Sequence, residues 1–466
     1  MKMWSGRFRQ PLDTEFERWQ RSFPFDQRLL AQEVAASSVH ARALQKAGMI
    51  SASELHAITE GLAQIAEKAA SPGFLDDDSA EDVHHFVEKK LVELIGEAGY
   101  KLHSGRSRNE QIATDLRLYV RHASDQAREQ VGEFIEVLLA RAEQAGGAAM
   151  PAYTHLQRAE PVLVAHWLLA YVEMLFRDLE RLADCRKRTN LCPLGSGAVA
   201  GATLALDRRS MAEQLAFEAP TSNSLDATTD RDFVLEFVHA LLLLSLHLSR
   251  WAEEMLLFST QEYGFVILPE KYSTGSSAMP QKKNADLLEL ARGKAGRIAG
   301  DLNALVLVLK GLPLAYNKDL QETQEPLFDA AEIMLSLLPL VAGWMQEVEF
   351  NYTRMQEAAQ SGSLNAWAAA TYLAEHGVPF RLAHDKVGNA VRLCLEKGCE
   401  LQELTLEELR QFSPEFEQDI YARLSVESVL ALHDVHGGTA PARVKQAIAE
   451  GKRKLAAVRE EAHAHA

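Results

Sequence analysis

Residues 273–289 read STGSSAMPQKKNADLLE. Gly275, Ser276 and Ser277 supply small residues and two hydroxyls, and Pro280 blocks helix continuation. Gln281, Lys282, Lys283 and Asn284 then crowd donors and cations onto one turn before an apolar-periodic helix resumes at Leu287. Such a loop is suited to closing on an anion. GSS or KK alone would read as an exposed linker, whereas the whole string is far more specific.

Outward from this loop the chain is helical in both directions. Patterns at 112–146, 161–188, 226–262, 287–311 and 325–355 each run 25 to 37 residues, against roughly 11 to 12 for an average helix. Pro339 is expected to kink or break the fifth. The stretch 233–248 is apolar around most of its circumference and must be buried on every side, which points to bundles from several subunits packing together. Before residue 112 the patterns are shorter. Phe8, Leu12, Phe16 and Trp19 space as one amphipathic helix, broken around Pro24. Ser51 and Glu54 open a capped helix with Leu55, Ile58, Leu62 and Ile65 on one face. Beyond about residue 360, small helices return, with turns at Gly377 and Gly437. The expected class is all-α, in three parts: 1–111, 112–360 and 361–466.

Four further blocks carry chemistry. LHSGRSRNEQIATD at 102–115 sets Arg106, Arg108 and Asn109 on flexible backbone, a composition suited to carboxylates, although an exposed basic turn capping the next helix has the same composition. MPAYTHLQRAEP at 150–161 reads as a Pro-bounded turn exposing Thr154, His155 and Gln157 before a helix that opens at Pro161. PLGSGAVAG at 193–201 lacks the preceding strand and the Lys and Ser/Thr of a phosphate loop, so it reads as tight packing between helices. AYNKDLQETQE at 315–325 precedes the fifth long helix. Ser22 and Asp26 read locally as helix-cap residues, and Arg231 as either a pocket cation or half of an intrahelical ion pair. His84 and His85 are adjacent, so they point about 100° apart on a helix and give no metal-ligand spacing.

The bulk numbers narrow the function classes. Lys and Arg number 49 against 65 Asp and Glu, a net charge of −16; general affinity for nucleic acid or an anionic membrane is not expected, and anionic substrates must meet local cations. Four cysteines at 185, 192, 394 and 399 are too few for a disulfide framework and match no zinc pattern, so reduced thiols in a cytoplasmic protein are expected. The opening MKMWSGRFRQPLD lacks the apolar core of a secretory signal. The longest uncharged runs, 237–249 and 333–346, stop short of the roughly 20 residues of a membrane helix and read as buried helices.

The loop at 273–289 resembles the signature GSSxMPxKxN of the fumarase/aspartase lyase superfamily, and its QKKN form resembles the argininosuccinate lyase family within it. SGRSRN, THLQRAEP, the GSG turn, NSLDATT before Asp230-Arg231-Asp232, YNKDLQE and VPFRLAH through His384 follow in the family's order across essentially the whole chain. The resemblance implies a three-domain, all-helical subunit in a homotetramer, with each active site built from three subunits. It implies elimination of fumarate from argininosuccinate to leave arginine, with no metal or organic cofactor. It also implies residue roles: Ser276 as the base, His155 as the acid toward the departing guanidino nitrogen, Lys282 and Asn284 as stabilisers of the anionic intermediate, and Glu289 as an orienting group. Ser22, Asp26, His84, Arg108, Asn109, Thr154, Arg231, Tyr316, Lys318, Gln321 and Gln324 would line the substrate pocket. Three positions depart from the family pattern. Glu110 replaces the usual Asp and keeps its charge, Ala285 stands where Pro is usual, and Gln324 stands where this branch usually has a substrate-binding Lys. Another fumarate-releasing lyase, or a non-catalytic structural protein such as the crystallins derived from this family, stands as the alternative.

Overall fold

The computed structural model describes residues 10–464; Phe8, the first member of the expected N-terminal helix, lies outside them. Helix accounts for 68% and strand for 6% of the chain, so the all-α expectation is borne out. Two compact units divide it: Met1–Ala127, Arg181–Leu243 and Gly296–Leu335 form one, and Arg128–Glu180, Leu244–Ala295 and Ser336–Ala466 the other.

Six helices of 24 residues or more lie among the described residues: Arg108–Ala145, Val164–Thr189, Asp232–Ser259, Asp286–Leu309, Gln324–Glu347 and, in the C-terminal part where only small helices were expected, Pro441–Ala464. The expected fifth helix, 325–355, instead stops at Glu347, and a short strand, Glu349–Phe350, precedes a separate helix, Tyr352–Ala359. Asn351 ends the long pattern by capping that helix, its side-chain oxygen accepting from the Arg354 amide at 3.1 Å. Pro339 does not break the helix, which runs unbroken through it. Leu337, Leu338 and Val341 around it are buried, and that packing outweighs the one hydrogen bond a proline cannot donate.

Two of these helices reach the length and composition of a membrane span. Windows in Asp232–Ser259 and Lys318–Glu347 have mean hydropathy 1.5, yet 50% and 61% of their residues are buried within this one chain. Counting only uncharged runs underestimated their apolar length; their burial agrees with the reading as core helices.

In the first unit, Leu30–Lys46, Ala52–Lys68 and Val83–Ile95 pack together. The capping box expected from Ser51 and Glu54 forms, and Ile58, Leu62 and Ile65 are fully buried. The N-terminal pattern gives only a single-turn helix, Thr14–Trp19, whose Phe16 and Trp19 remain exposed. After it, Ser22 leads into a second turn, Phe23–Asp26, and Phe23 stacks on Phe86 with ring centroids 4.9 Å apart.

In the second unit, 150–163 is strand where a turn and helix start were expected. Ala149–Thr154 pairs antiparallel with Gln157–Leu163, Pro151 lies opposite Pro161, and the helix opens at Val164. The C-terminal part has its own core of Tyr372, Leu373, Val387, Leu401, Leu409, Phe416 and Ile420. Helix Phe380–Lys397 in it ends at Gly398 with φ 64°, a left-handed cap that glycine adopts without strain.

Candidate active site

Candidate residues gather around the start of helix Val83–Ile95 in the first unit. Ser22 donates to Asp26 Oδ2 at 2.6 Å, and the Val83 amide donates to Asp26 Oδ1 at 3.0 Å. Burial, reinforced by the charge of Asp82, pushes the Asp26 carboxyl up to about 7. Asp82 caps the helix by accepting from the His85 amide and forms an ion pair with Arg108. Lys318 Nζ approaches Glu81 at 4.0 Å, and Gln321 Nε2 donates to the Gln20 carbonyl at 3.2 Å. These contacts tie the 315–325 block to Glu81 and to Gln20.

Arg231 has the properties of an anion-binding group. It is buried, its Nη1 donates to the Asp230 carbonyl at 2.8 Å, and its Nε and Nη2 have no partner. Burial lowers its pKa to about 10, which leaves it charged at neutral pH, and the Tyr316 hydroxyl lies within its field. Of the two sequence alternatives for Arg231, the intrahelical ion pair does not form, because its contact is to the Asp230 carbonyl and not to a carboxylate. Gln324 is also buried, and its Oε1 is unpartnered.

Arg106 and Arg108 are not presented freely from the 102–115 loop. Arg106 turns inward, donating to Ser37 Oγ at 2.8 Å and lying 3.7 Å from Glu33, while Arg108 is held by Asp82. Asn109 remains at the surface, 3.5 Å from the Ala198 carbonyl. Glu110 is wholly buried. Its carboxylate accepts from the Ser107 amide at 2.9 Å and from the amides of Gly195 and Gly197, so this position anchors the GSG turn to the start of the first long helix. A Cβ on Gly197 would lie 2.7 Å from the Gly201 carbonyl oxygen, so the turn folds tightly on its own backbone.

The second unit holds the other group. Thr154 and His155 lie at the tip of the hairpin, where His155 and Leu156 have φ 55° and 58°. Two consecutive left-handed residues are the signature of a type I′ turn, usually Asn-Gly; here they project an exposed imidazole from a rigid ladder. The 273–289 loop is also a small ladder, with Thr274–Gly275 paired to Lys283–Asn284. Ser276 Oγ sits just past the first strand and accepts from the amides of Met279 at 3.1 Å and Ala278 at 3.3 Å. Two N–H donors aimed at one hydroxyl favour its anion. Asn284 Nδ2 donates to Thr274 Oγ1 at 3.3 Å and to the Gly275 carbonyl at 3.4 Å, bracing the ladder, while Lys282 is exposed beside it. Ala285 is buried, and its carbonyl accepts from Leu288 and Glu289, so it caps the helix that opens at Asp286. Among the described residues, no hydrogen bond joins His155 to Glu289.

Sequence reasoning missed the buried partners of His84. Glu33 and Asp115 lie against it at 2.8 and 3.6 Å, and Ser37 and Gln111 donate to Glu33; all are buried, and Arg106 completes the cluster. The available signal was polar residues on otherwise apolar helix faces: Glu33 and Ser37 one turn apart, and Asp115 beside Ile112 and Leu116. Ligand atoms of Glu33, His84 and Asp115 lie within 4.8 Å of one another, the spacing of a cation site. Arg106 already places a positive charge 3.7 Å from Glu33 there, which disfavours a second cation.

Comparison with known proteins follows the same residues. A family described as Lyase matches residues 6–300, and one described as Argininosuccinate lyase C-terminal matches 363–431. The chain is 58% identical over 466 residues to the argininosuccinate lyase of Koribacter versatilis (strain Ellin345), covering 100% of both. It is 58% identical over 460 residues to that of Acidobacterium capsulatum, covering 97% of this chain and 95% of the relative. Among solved structures, EDDS lyase in complex with formate aligns at TM-score 0.86 and 26% identity, over 98% of this chain and 93% of that one. The class II fumarase from Schistosoma mansoni shares the fold at TM-score 0.74 and 16% identity, over 86% and 90%.

Proposed function

The chain belongs to the argininosuccinate lyase family of the fumarase/aspartase superfamily, and from that premise we propose that it cleaves argininosuccinate to fumarate and arginine by acid/base elimination, as a step of arginine biosynthesis. The observation that carries this reading is 58% identity, end to end, to argininosuccinate lyases.

Removing a proton from the carbon beside a carboxylate develops a doubly charged aci-carboxylate, which needs cations and oriented donors close by. Ser276 takes the proton. Its hydroxyl is a poor base in water, and the amides of Ala278 and Met279 together with Lys282 support its oxyanion. His155 protonates the departing guanidino nitrogen, and Glu289 orients it from another chain or after loop closure. Arg231 takes a substrate carboxylate with its unpartnered Nε and Nη2. Ser22, Asp26, Tyr316, Gln321, Asn109 and Thr154 supply the remaining contacts.

The assembly we infer is a homotetramer whose sites draw blocks from three subunits, and the compartment is the cytoplasm. Leu246, Leu290, Val306, Leu307 and Leu340 are exposed on the long helices of a single chain, which supports their burial against other subunits. The four free cysteines fit a reducing compartment. The three-part division at 111 and 360 stands as our proposal, supported by the separate C-terminal core. A second reading, another fumarate adduct as substrate, is favoured by Gln324 in place of the branch's Lys and by the likeness to EDDS lyase.

Ser276→Ala tests the mechanism. Fumarate release from argininosuccinate should fall by roughly two to four orders of magnitude, with circular dichroism and oligomer size unchanged. Activity within a few-fold of the parent removes Ser276 from the role of base.

A further inference from the structure

We propose that Cys394 and Cys399 form a reversible disulfide, a dithiol that a hydroperoxide closes at the end of helix Phe380–Lys397. The inference is independent of the proposed reaction.

The two cysteines stand five apart with Gly398 between them. Gly398 is left-handed at φ 64° and turns the chain back, so that its own amide and that of Cys399, the latter at 3.1 Å, both donate to the Cys394 carbonyl. A helix end of this kind brings the side chains of those two positions together, ordinarily as an apolar contact. Here the contact is between two thiols. Cys394 is 1% exposed within the C-terminal core, and Cys399 packs half-buried against the same core. Burial and the Cys399 thiol beside it push the Cys394 thiol up to about 12. The remaining cysteines lack this access. Cys185 and Cys192 are both 0% exposed, Cys185 donates to the Phe233 carbonyl at 3.9 Å, and burial pushes their thiols up to about 12 and about 11.

Exposure sets the order of events, because Cys399 is the sulfur of the pair that solvent reaches. Lys397, whose ammonium pairs with Glu408, lies within the field of both thiols and opposes the negative end of the helix, which by itself disfavours a thiolate. The Cys399 sulfur attacks the hydroperoxide. An S–O bond forms as the O–O bond breaks, and the alcohol leaves with the thiol proton. Cys394 then attacks the Cys399 sulfenic acid: the S–S bond forms, the S–O bond breaks, and the Cys394 proton departs with the hydroxyl as water. Two thiols give two electrons to one hydroperoxide, which is reduced to an alcohol and water. Cys394 is a weak acid, but its target is held against it, and the step stays within one turn of chain.

In a reducing compartment the pair rests as two thiols, and exchange with a small thiol reopens the bond. The closed ring fixes the turn that leads into Glu400. That carboxylate accepts the amides of Gly362 and Ser363 at 2.8 Å each and so holds the start of the C-terminal part.

Peptide mass mapping of the full-length protein tests the proposal. The native protein is treated with tert-butyl hydroperoxide, blocked with iodoacetamide, unfolded and digested with trypsin, which cuts after Lys397. The expected product is 393–397 joined to 398–410 and separated by dithiothreitol, with Cys185 and Cys192 still thiols. Closure should outrun loss of either of those two by roughly tenfold or more. Cys394→Ala should leave Cys399 as a sulfenic acid that dimedone traps, and Cys399→Ser should leave Cys394 unreacted. The second variant changes only the half-buried position, so it carries the test if the first does not fold. Separate, alkylated 393–397 and 398–410 from the parent, under oxidant that closes a small dithiol, overturn the proposal. Cys399 driven to sulfinic acid without joining Cys394, or joined to a second chain in preference to it, overturns the proposal as well.

Discussion

Asp26 keeps two hydrogen bonds, from Ser22 and Val83, yet burial and Asp82 raise its carboxyl to about 7. The folded chain therefore holds this proton to higher pH than the unfolded chain, whose Asp titrates near 4. Its contribution to stability is present in full below that value and is lost as pH rises through about 7. Asp26→Asn removes the ionisation, so it should stabilise the fold more at pH 8 than at pH 5, by on the order of a few kcal/mol, read as a larger rise in melting temperature at the higher pH; equal shifts at both pH values would contradict the assignment. Gln324 carries a different expectation. A lysine there would offer a charge-assisted bond in place of a neutral one, a gain on the order of 1 kcal/mol. A carboxylate remote from the eliminated proton is held alike in ground and transition states, so Gln324→Lys should lower KM several-fold with little change in kcat. Because Gln324 is 3% exposed, the unpaired ammonium should also lower the melting temperature until substrate is added. A collapse in kcat with no gain in KM would assign Gln324 to a differently shaped pocket, the second reading above.

The hairpin that carries His155 shows what local pattern reading could and could not reach. Periodicity located the long helices before residue 360 but not Pro441–Ala464, and the Ser51 capping box formed as read, because capping and amphipathic patterns are local signals. The strands at 149–163 were not legible: each contains a proline, and the turn is His-Leu instead of an Asn-Gly pair, so every nearby cue favoured a turn leading into a helix. Helix Tyr352–Ala359 packs on the first strand from two hundred residues away, a contact that no local window contains. Likewise the composition of 273–289 suits an anion, but the amides that point at Ser276 belong to its folded turn and are invisible in composition. The cluster behind His84 escaped for the opposite reason, since its acidic residues sit on core-facing positions where apolar residues are expected. Leu156 carries a testable strain: it is 68% exposed and left-handed at φ 58°. Leu156→Gly should relieve roughly 1 kcal/mol, read as a higher denaturant midpoint. An unchanged or lower midpoint would mean that the ladder holds the turn without strain.

The long helices leave large apolar side chains uncovered on a single chain, and the residues proposed for catalysis and for substrate binding lie on blocks far apart in sequence. If each site draws on several subunits, two inactive proteins can complement one another. Mixing His155→Asn with Asn109→Ala under subunit exchange should restore part of the activity, and a mixture that stays inactive despite proven exchange counts against shared sites. The account as a whole stands on the reaction itself. Purified protein incubated in turn with argininosuccinate, adenylosuccinate, aspartate and malate, with fumarate followed by its ultraviolet absorbance, tests it most directly. The account predicts fumarate from argininosuccinate, matched by an equal amount of arginine, and far slower or no release from the others. Release from another adduct in preference to argininosuccinate, or no release from any, would contradict it.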